Sequence, residues 1–209
     1  DKTGTLTIPN PNIDFTKADN IPFEEREQLK PNAAKAMARL KEEGIDVFMM
    51  SGDKEAAAHY WAEKAGIVHY KSEVHPDDKQ KLVSQLQQEG KIVAMVGDGI
   101  NDTQALATAD VGIAIGRGTD VAMDVAQVTL MGNDLIALPE AVNMSRRTVR
   151  MIWQNLFWAF IYNLVCIPLA AGALYLFDIN FQITPMWASA LMAFSSVSVV
   201  LNSLRLKWL

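Results

Sequence analysis

Two short strings in this chain carry residues whose types and spacing could do chemistry. Residues 1–7 read DKTGTLT, and residues 95–106 read MVGDGINDTQAL. Asp1 offers a carboxylate that can act as a nucleophile and form a covalent acyl intermediate. Behind it, the backbone N–H groups of Lys2, Thr3, Gly4 and Thr5 can cup an anion, as glycine-containing loops do. In the second string Asp98, Asn101 and Asp102 gather around a two-glycine turn after an apolar run, a set of hard oxygen ligands suited to Mg²⁺. A nucleophilic aspartate beside a metal and a phosphate cradle predicts phosphoryl transfer through an aspartyl-phosphate.

Such residues need a scaffold that delivers them to one place. Residues 31–44, PNAAKAMARLKEEG, have proline at the start, Ala, Met and Leu on one face and glycine at the stop, which predicts an amphipathic helix. The apolar run at 45–50 ends on Ser51-Gly52-Asp53 and reads as a buried parallel strand. Helices are predicted over 55–65, 77–88 and 102–109, and further strands over 67–70, 91–96 and 111–115. This alternation predicts an α/β fold with a doubly wound parallel sheet and chemistry at the carboxyl ends of its strands. Ser51, Asp98 and Asn101 each follow an apolar strand, as that rule requires.

Composition narrows the setting. The 209 residues leave room for one ordinary domain and an appendage, and a net charge of −5 gives no basic footprint for nucleic acid. The single cysteine, Cys166, excludes a disulfide framework. Charged residues vanish between 151 and 177 and again between 179 and 204, and about 20 apolar residues suffice to cross a bilayer core. Arg146, Arg147 and Arg150 flank the first stretch, and Arg205 and Lys207 the second, so both basic ends are predicted on the cytoplasmic side. The connecting turn at 178–182 then lies on the opposite face. Thr184 and Pro185 read as the cap and first residue of the second span.

DKTGT followed by GDGxND resembles the phosphorylation domain of the P-type ATPases, a haloacid-dehalogenase-like fold that drives ion transport. The resemblance implies that Mg²⁺ bridges the carboxylates of Asp1 and Asp98 with help from the Thr3 backbone carbonyl. It implies that Lys79, in HPDDK, neutralises phosphate, and that Ser51, in SGD with Gly52, bonds a phosphate oxygen where relatives often have threonine. Asn101 and Asp102 would order the metal shell and the attacking water. Related phosphatases carry a second aspartate two positions after the nucleophile, where this chain has Thr3. Lacking that acid/base, and with Asp53 unable to replace it on spacing alone, the acyl-phosphate should persist, which suits a pump better than a phosphatase.

The two apolar stretches carry no carboxylate or cation to attract a hard ion. Met192, Ser195 and Ser196 share one helix face, Tyr162, Asn163 and Cys166 share another, and thioether sulfur suits Cu(I). Tyr162-Asn163 followed by IPLAAG, and Met192-x-x-Ser195-Ser196 followed by VSVVLNSLRL, resemble the last two membrane helices of the copper(I)-transporting P-type ATPases. In that family the residues matching Tyr162, Asn163, Met192 and Ser196 line the metal path; Cys166 reads as packing. Ag(I) is chemically equivalent at such a site.

The resemblance divides the chain into a phosphorylation domain at 1–143 and a two-helix transmembrane hairpin at 144–209, with spans at about 151–177 and 184–204. A nucleotide-binding insertion is expected between about 8 and 30, where the chain has only a short polar segment. A strand before Asp1 and upstream helices bearing a Cys-Pro-Cys pair are expected as well. The implied partners are membrane lipid, Cu(I) or Ag(I), ATP in the complete pump, and upstream pump domains or a copper chaperone. The phosphorylation domain would be cytoplasmic, and the isolated chain is expected not to drive ATP-dependent transport. Two other readings stay open: a membrane-anchored phosphatase of the same fold, and a non-catalytic truncated pump that acts as an interaction partner.

Overall fold

A computed structural model describes residues 1–13, 21–99, 101–116, 124–171 and 185–205. It divides into two compact units, residues 1–140 and 141–209. In chain order the elements are β1 (Thr7–Pro9), α1 (Phe23–Arg26), β2 (Glu27–Leu29), α2 (Ala33–Glu42), β3 (Phe48–Met50), α3 (Glu55–Ala65) and β4 (His69–Lys71). They continue with α4 (Pro76–Gln88), β5 (Ala94–Gly97), α5 (Thr103–Thr108), β6 (Val111–Ile115), β7 (Val128–Leu130), α6 (Ala137–Ala170) and α7 (Pro185–Leu204).

The first unit is built on parallel pairings: β3 with β4, and β5 with β6 with β7. These two pieces meet at the first two residues of the chain. Asp1 N donates to the Val96 carbonyl of β5 at 2.8 Å, and the Lys2 N–H donates to the Met50 carbonyl of β3 at 3.1 Å. The nucleophile candidate thus occupies the centre of the sheet, in the order β4, β3, residues 1–2, β5, β6, β7. The core beneath β5 joins Met50, Val83, Met95, Ala105, Leu106 and Ala109, with Leu82, Val93 and Val125 packed against it.

The strands start later than their apolar runs. The predicted strand at 45–50 is ordered only over Phe48–Met50, and that at 91–96 only from Ala94. The reason lies in how the preceding helices close. Gly44 follows α2 in a left-handed conformation (φ 76°), and the next N–H, of Ile45, turns back to the Leu40 carbonyl at 3.0 Å. Ile67 bonds back to Ala62 and Lys91 to Leu86 in the same six-to-one pattern. The first residue of each apolar run therefore finishes a helix before the chain extends. Burial is concentrated at the strands' carboxyl ends: Met49 and Met50 are buried whereas Phe48 and Ile92 are exposed.

Four of these elements, β1, α1, β2 and β7, were not predicted. The polar segment expected to run loosely from 8 to 30 contains β1 and β2, paired antiparallel with Thr7 opposite Leu29. Residues 14–20, 117–123 and 172–184 lie outside the described residues, so the predicted turn at 178–182, the Thr184 cap and the end of the first span fall there. Strand β7 also adds to the sheet edge, because Val128-Thr129-Leu130 pairs with Ile113–Ile115.

The second unit is helical. α6 runs well before the predicted span, reaching back to Ala137, and its 137–169 stretch has a mean hydropathy of 1.3 over its most apolar window. Trp153, Leu156, Phe157 and Phe160 on it stand exposed, the surface expected of a helix meeting lipid. α7 is 20 residues long, but its apolar stretch covers only 189–204, so among the described residues α6 alone is long and apolar enough to cross a bilayer.

Candidate active site

The site assembles where the sheet's centre meets the loops after β3 and β5. Asp1 is placed by its own N–H bond to Val96 and by the bond of the Lys2 N–H to Met50. The chain then turns sharply: Gly4 takes φ 74°, and the N–H groups of Leu6 and Thr7 both donate to the Lys2 carbonyl, at 2.8 and 3.0 Å. A side chain at Gly4 would overlap the carboxylate of Asp98, so glycine permits both the backbone conformation and the close approach. Across the sheet, Gly97 leaves room for Asp102, whose Oδ2 would lie 2.6 Å from a Cβ there.

Lys79 closes the group from α4. Its ammonium donates to Asp1 Oδ1 at 2.7 Å and to Asp102 Oδ1 at 2.6 Å, with all three side chains buried. Charge-assisted bonds of this kind are about twice as strong as neutral ones. Asp1, Asp98 and Asp102 each present a carboxylate oxygen within 4.8 Å of the others. Asp102 Oδ2 is buried with no hydrogen-bond partner, and so is Thr5 Oγ1. An orphaned carboxylate oxygen is costly unless something positive or donating reaches it. Lys30 supplies part of the field: burial pushes its ammonium below the usual lysine range, and the charge of Asp98 partly opposes that shift. Carboxylates still outnumber ammonium groups, and this donor set fits a hard divalent cation.

Of the other residues singled out in the sequence, Ser51 is buried at the end of β3 and donates to Asp53 Oδ2 at 2.9 Å, while the Asp53 N–H returns to Ser51 Oγ at 3.1 Å. Thr3 and Asn101 are exposed. Gly52 lies in ordinary contact range of the Val74 carbonyl, so no crowding demands glycine there. Lys2 departs from expectation. Its N–H is bonded to Met50 rather than open to an anion, and its ammonium pairs with Glu27, at 2.5 Å, and with Asp53. Sequence reasoning missed Glu27 and Lys30, and it weighed Asp53 only as an acid/base, whereas here Asp53 partners Lys2 and Ser51.

Residues 11–110 match the haloacid dehalogenase-like hydrolase family. The chain is 53% identical over 180 residues to the probable copper-transporting ATPase PacS of Synechocystis sp., covering 86% of this chain and 24% of that protein. It is 52% identical over 179 residues to the copper-exporting P-type ATPase of Bacillus subtilis, covering 86% of this chain and 21% of that one. Over most of its own length the chain is therefore similar to P-type ATPases. It spans about a quarter of the length of the curated relatives it matches. Among solved P-type ATPase structures, a zinc-transporting PIB-type ATPase in its E2.Pi state superposes with a TM-score of 0.75 at 33% identity, covering 86% of this chain and 28% of that one.

The four residues that the sequence resemblance assigns to a metal path sit on α6 and α7. Tyr162 is half-buried; Asn163, Met192 and Ser196 are exposed. Asn163 Nδ2 donates to the Ala159 carbonyl at 3.0 Å and Ser196 Oγ to the Met192 carbonyl at 3.3 Å, both within their own helices. Among the described residues, the bonds that cross between the helices are made elsewhere: Asn155 Nδ2 to Ser203 Oγ and Asn202 Nδ2 to Asn155 Oδ1, each 2.8 Å, and Asn202 Nδ2 to Gln154 Oε1 at 3.5 Å.

Proposed function

We propose that this segment carries the aspartyl-phosphate step of a P-type ATPase that moves Cu(I) or Ag(I) across a membrane. The observation that supports it most is the buried Lys79 ammonium gripping Asp1 and Asp102 beside Asp98. Lys79 holds Asp1 Oδ1, which leaves Oδ2 as the attacking oxygen. It bonds to the terminal phosphorus of ATP in the complete pump; the P–O bond to the nucleoside diphosphate breaks, and the diphosphate leaves with that electron pair. Lys79 stays close enough to neutralise the charge spread over the phosphoryl oxygens. The Thr5 hydroxyl and the Ser51 hydroxyl supply further donors. Mg²⁺, held by Asp1, Asp98, the Thr3 carbonyl and the orphaned Asp102 Oδ2, would supply Lewis-acid neutralisation of the phosphate.

Thr3 in place of an acid/base is what separates a pump from a phosphatase of this fold: without it the acyl-phosphate is slow to hydrolyse. For the cargo, the absence of Asp, Glu, Lys and Arg from residues 151–177 and 185–204 favours a soft ion over Zn²⁺. Tyr162, Asn163, Met192 and Ser196 are its proposed ligands, and the basic ends of both helices belong in the cytoplasm with the first unit.

Incubation with acetyl phosphate and Mg²⁺ followed by peptide mass spectrometry should show one added HPO₃ on the Asp1 peptide, lost in hydroxylamine; an unmodified peptide refutes the reading. For the cargo, Met192→Ala in the complete pump should weaken Cu(I) transport while leaving phosphorylation by inorganic phosphate intact. Normal transport by that variant removes Met192 from the ligand set.

A further inference from the structure

Lys2 is among the most buried side chains in the first unit, with 1% of its surface exposed, yet it carries a charge. A buried ammonium survives only when carboxylates meet it. Two do. Glu27 Oε2 comes from β2 and Asp53 Oδ2 from the loop after β3, and Thr7 Oγ1 also donates to that Glu27 oxygen at 3.0 Å. The ion pairs of Lys2, to Glu27 and Asp53, are distinct from those of Lys79, to Asp1 and Asp102.

Its connection to the chemistry runs through one oxygen. Asp53 Oδ2, which Lys2 contacts, is also the acceptor of the Ser51 hydroxyl. In this state the Ser51 proton is committed to Asp53, so it is not available to a phosphate oxygen. To serve phosphate, the Ser51 O–H must rotate away, and the oxygen it leaves would be an unpaired carboxylate acceptor. The Asp53 side chain is 37% exposed, so water replaces that lost donor only in part. Lys2 makes up the rest, because its ammonium remains on Asp53 Oδ2 after the hydroxyl has gone.

We infer that Lys2 is a positioning residue: its buried ammonium, held between Glu27 and Asp53, fixes Asp53 and frees the Ser51 hydroxyl to bond the phosphoryl group. The same ammonium ties that hydroxyl to β2, so a shift of the β1–β2 pair would be felt at the phosphate site. This rests on the reading of Ser51 as a phosphate-oxygen donor.

The experiment is a double-mutant cycle on the full chain, read as acetyl-phosphate labelling of Asp1. Lys2→Met should lower labelling about tenfold, the order set by a charge-assisted bond. In a Ser51→Ala background the same change should lower it by less than about twofold, since coupled residues are non-additive. Equal losses in both backgrounds overturn the inference, because a merely structural lysine would act regardless of residue 51. If Lys2→Met does not fold, Asp53→Asn replaces it in the cycle with the same two expectations. Amide exchange gives a reading that needs no labelling: the Asp53 N–H, bonded to Ser51 Oγ, should lose protection in Lys2→Met. Unchanged protection at Asp53 in a folded variant refutes the inference even if no phosphoenzyme forms, whereas an unlabelled wild type with lost protection in the variant refutes only the phosphoryl-transfer reading.

Discussion

In the first unit, Lys79 reaches from α4 to Asp1 at the sheet centre and to Asp102 ahead of α5, and Lys2 joins β2 to the loop after β3. In the second, Asn163 and Ser196 turn back to carbonyls of their own helices, and among the described residues the bonds that cross between α6 and α7 belong to Gln154, Asn155, Asn202 and Ser203. The two regions use polar side chains for different ends. A phosphoryl site must be preorganised, because its donors have to stand ready where charge develops. A metal path must keep its ligands exchangeable, since an ion held by a rigid, fully satisfied cage does not leave. The polar residues that lock the two helices together are therefore separate from those proposed to meet the cargo.

The largest effect should come from breaking the preorganised site at its single bridging cation. Lys79→Met leaves Asp1 and Asp102 buried without a partner, a change that costs about 3–5 kcal/mol in buried pairs. Chemical denaturation of the first unit should show that loss, and Asp1 labelling should vanish with it. Retained stability would mean that the carboxylates already share another partner, and the contrast with the helices would weaken. Gly4→Ala comes next. The left-handed backbone alone costs about 1–2 kcal/mol for an alanine, and the added methyl displaces Asp98. Labelling should fall more steeply than stability, because the Asp98 carboxylate moves away from Asp1; equal losses would show that the close approach serves folding only.

Much of this site was legible in the sequence, for identifiable reasons. The residue order DKTGT, SGD, HPDDK and GDGxND places each group just after a strand or in the first turn of a helix, so a parallel sheet must bring Asp1, Ser51, Lys79 and Asp98 to one edge. The bounds of α3 and β6 follow directly from composition. What was hidden depends on pairing across long separations. Nothing local shows that Lys2 turns from phosphate to Glu27 and Asp53, 25 and 51 positions away, or that 7–9 and 27–29 form a ladder. Strand onsets were misjudged because periodicity cannot see that Ile45 and Lys91 give their N–H groups to the preceding helix.

A smaller effect tests the other side of the comparison. Asn155→Leu removes the Asn155–Ser203 and Asn155–Asn202 bonds, and polar bonds between membrane helices are worth about 1 kcal/mol. Helix unfolding in detergent should occur at slightly lower denaturant, while phosphorylation of Asp1 stays unchanged. A loss of Asp1 labelling in this variant would show that the helical lock is part of the preorganised site after all.

The smallest expected effect uses pH to distinguish the two regions. Glu55 opens α3 and accepts hydrogen bonds from Ser72 and from Tyr70 of β4, the latter at 2.7 Å. Those bonds, the one from Ser72 foremost, hold its carboxyl below the usual glutamate range of 4.5. A carboxylate whose pKa falls on folding binds fewer protons in the native state, so its contribution is present above pH 4.5 and is lost as pH falls through the lowered native value. Glu55→Gln should therefore lower the Tm of the first unit slightly at pH 7, and the difference from wild type should shrink as pH falls below 4.5. Asp110, held low first by the Val93 N–H, adds to the same acid sensitivity in the wild type. Residues 151–170 of α6 and all of α7 contain no Asp or Glu, so helical content there should persist through the pH range in which the first unit weakens. If the helices melted together with the first unit on acidification, the two would be a single cooperative structure, and the division between a preorganised site and an exchangeable path would fail.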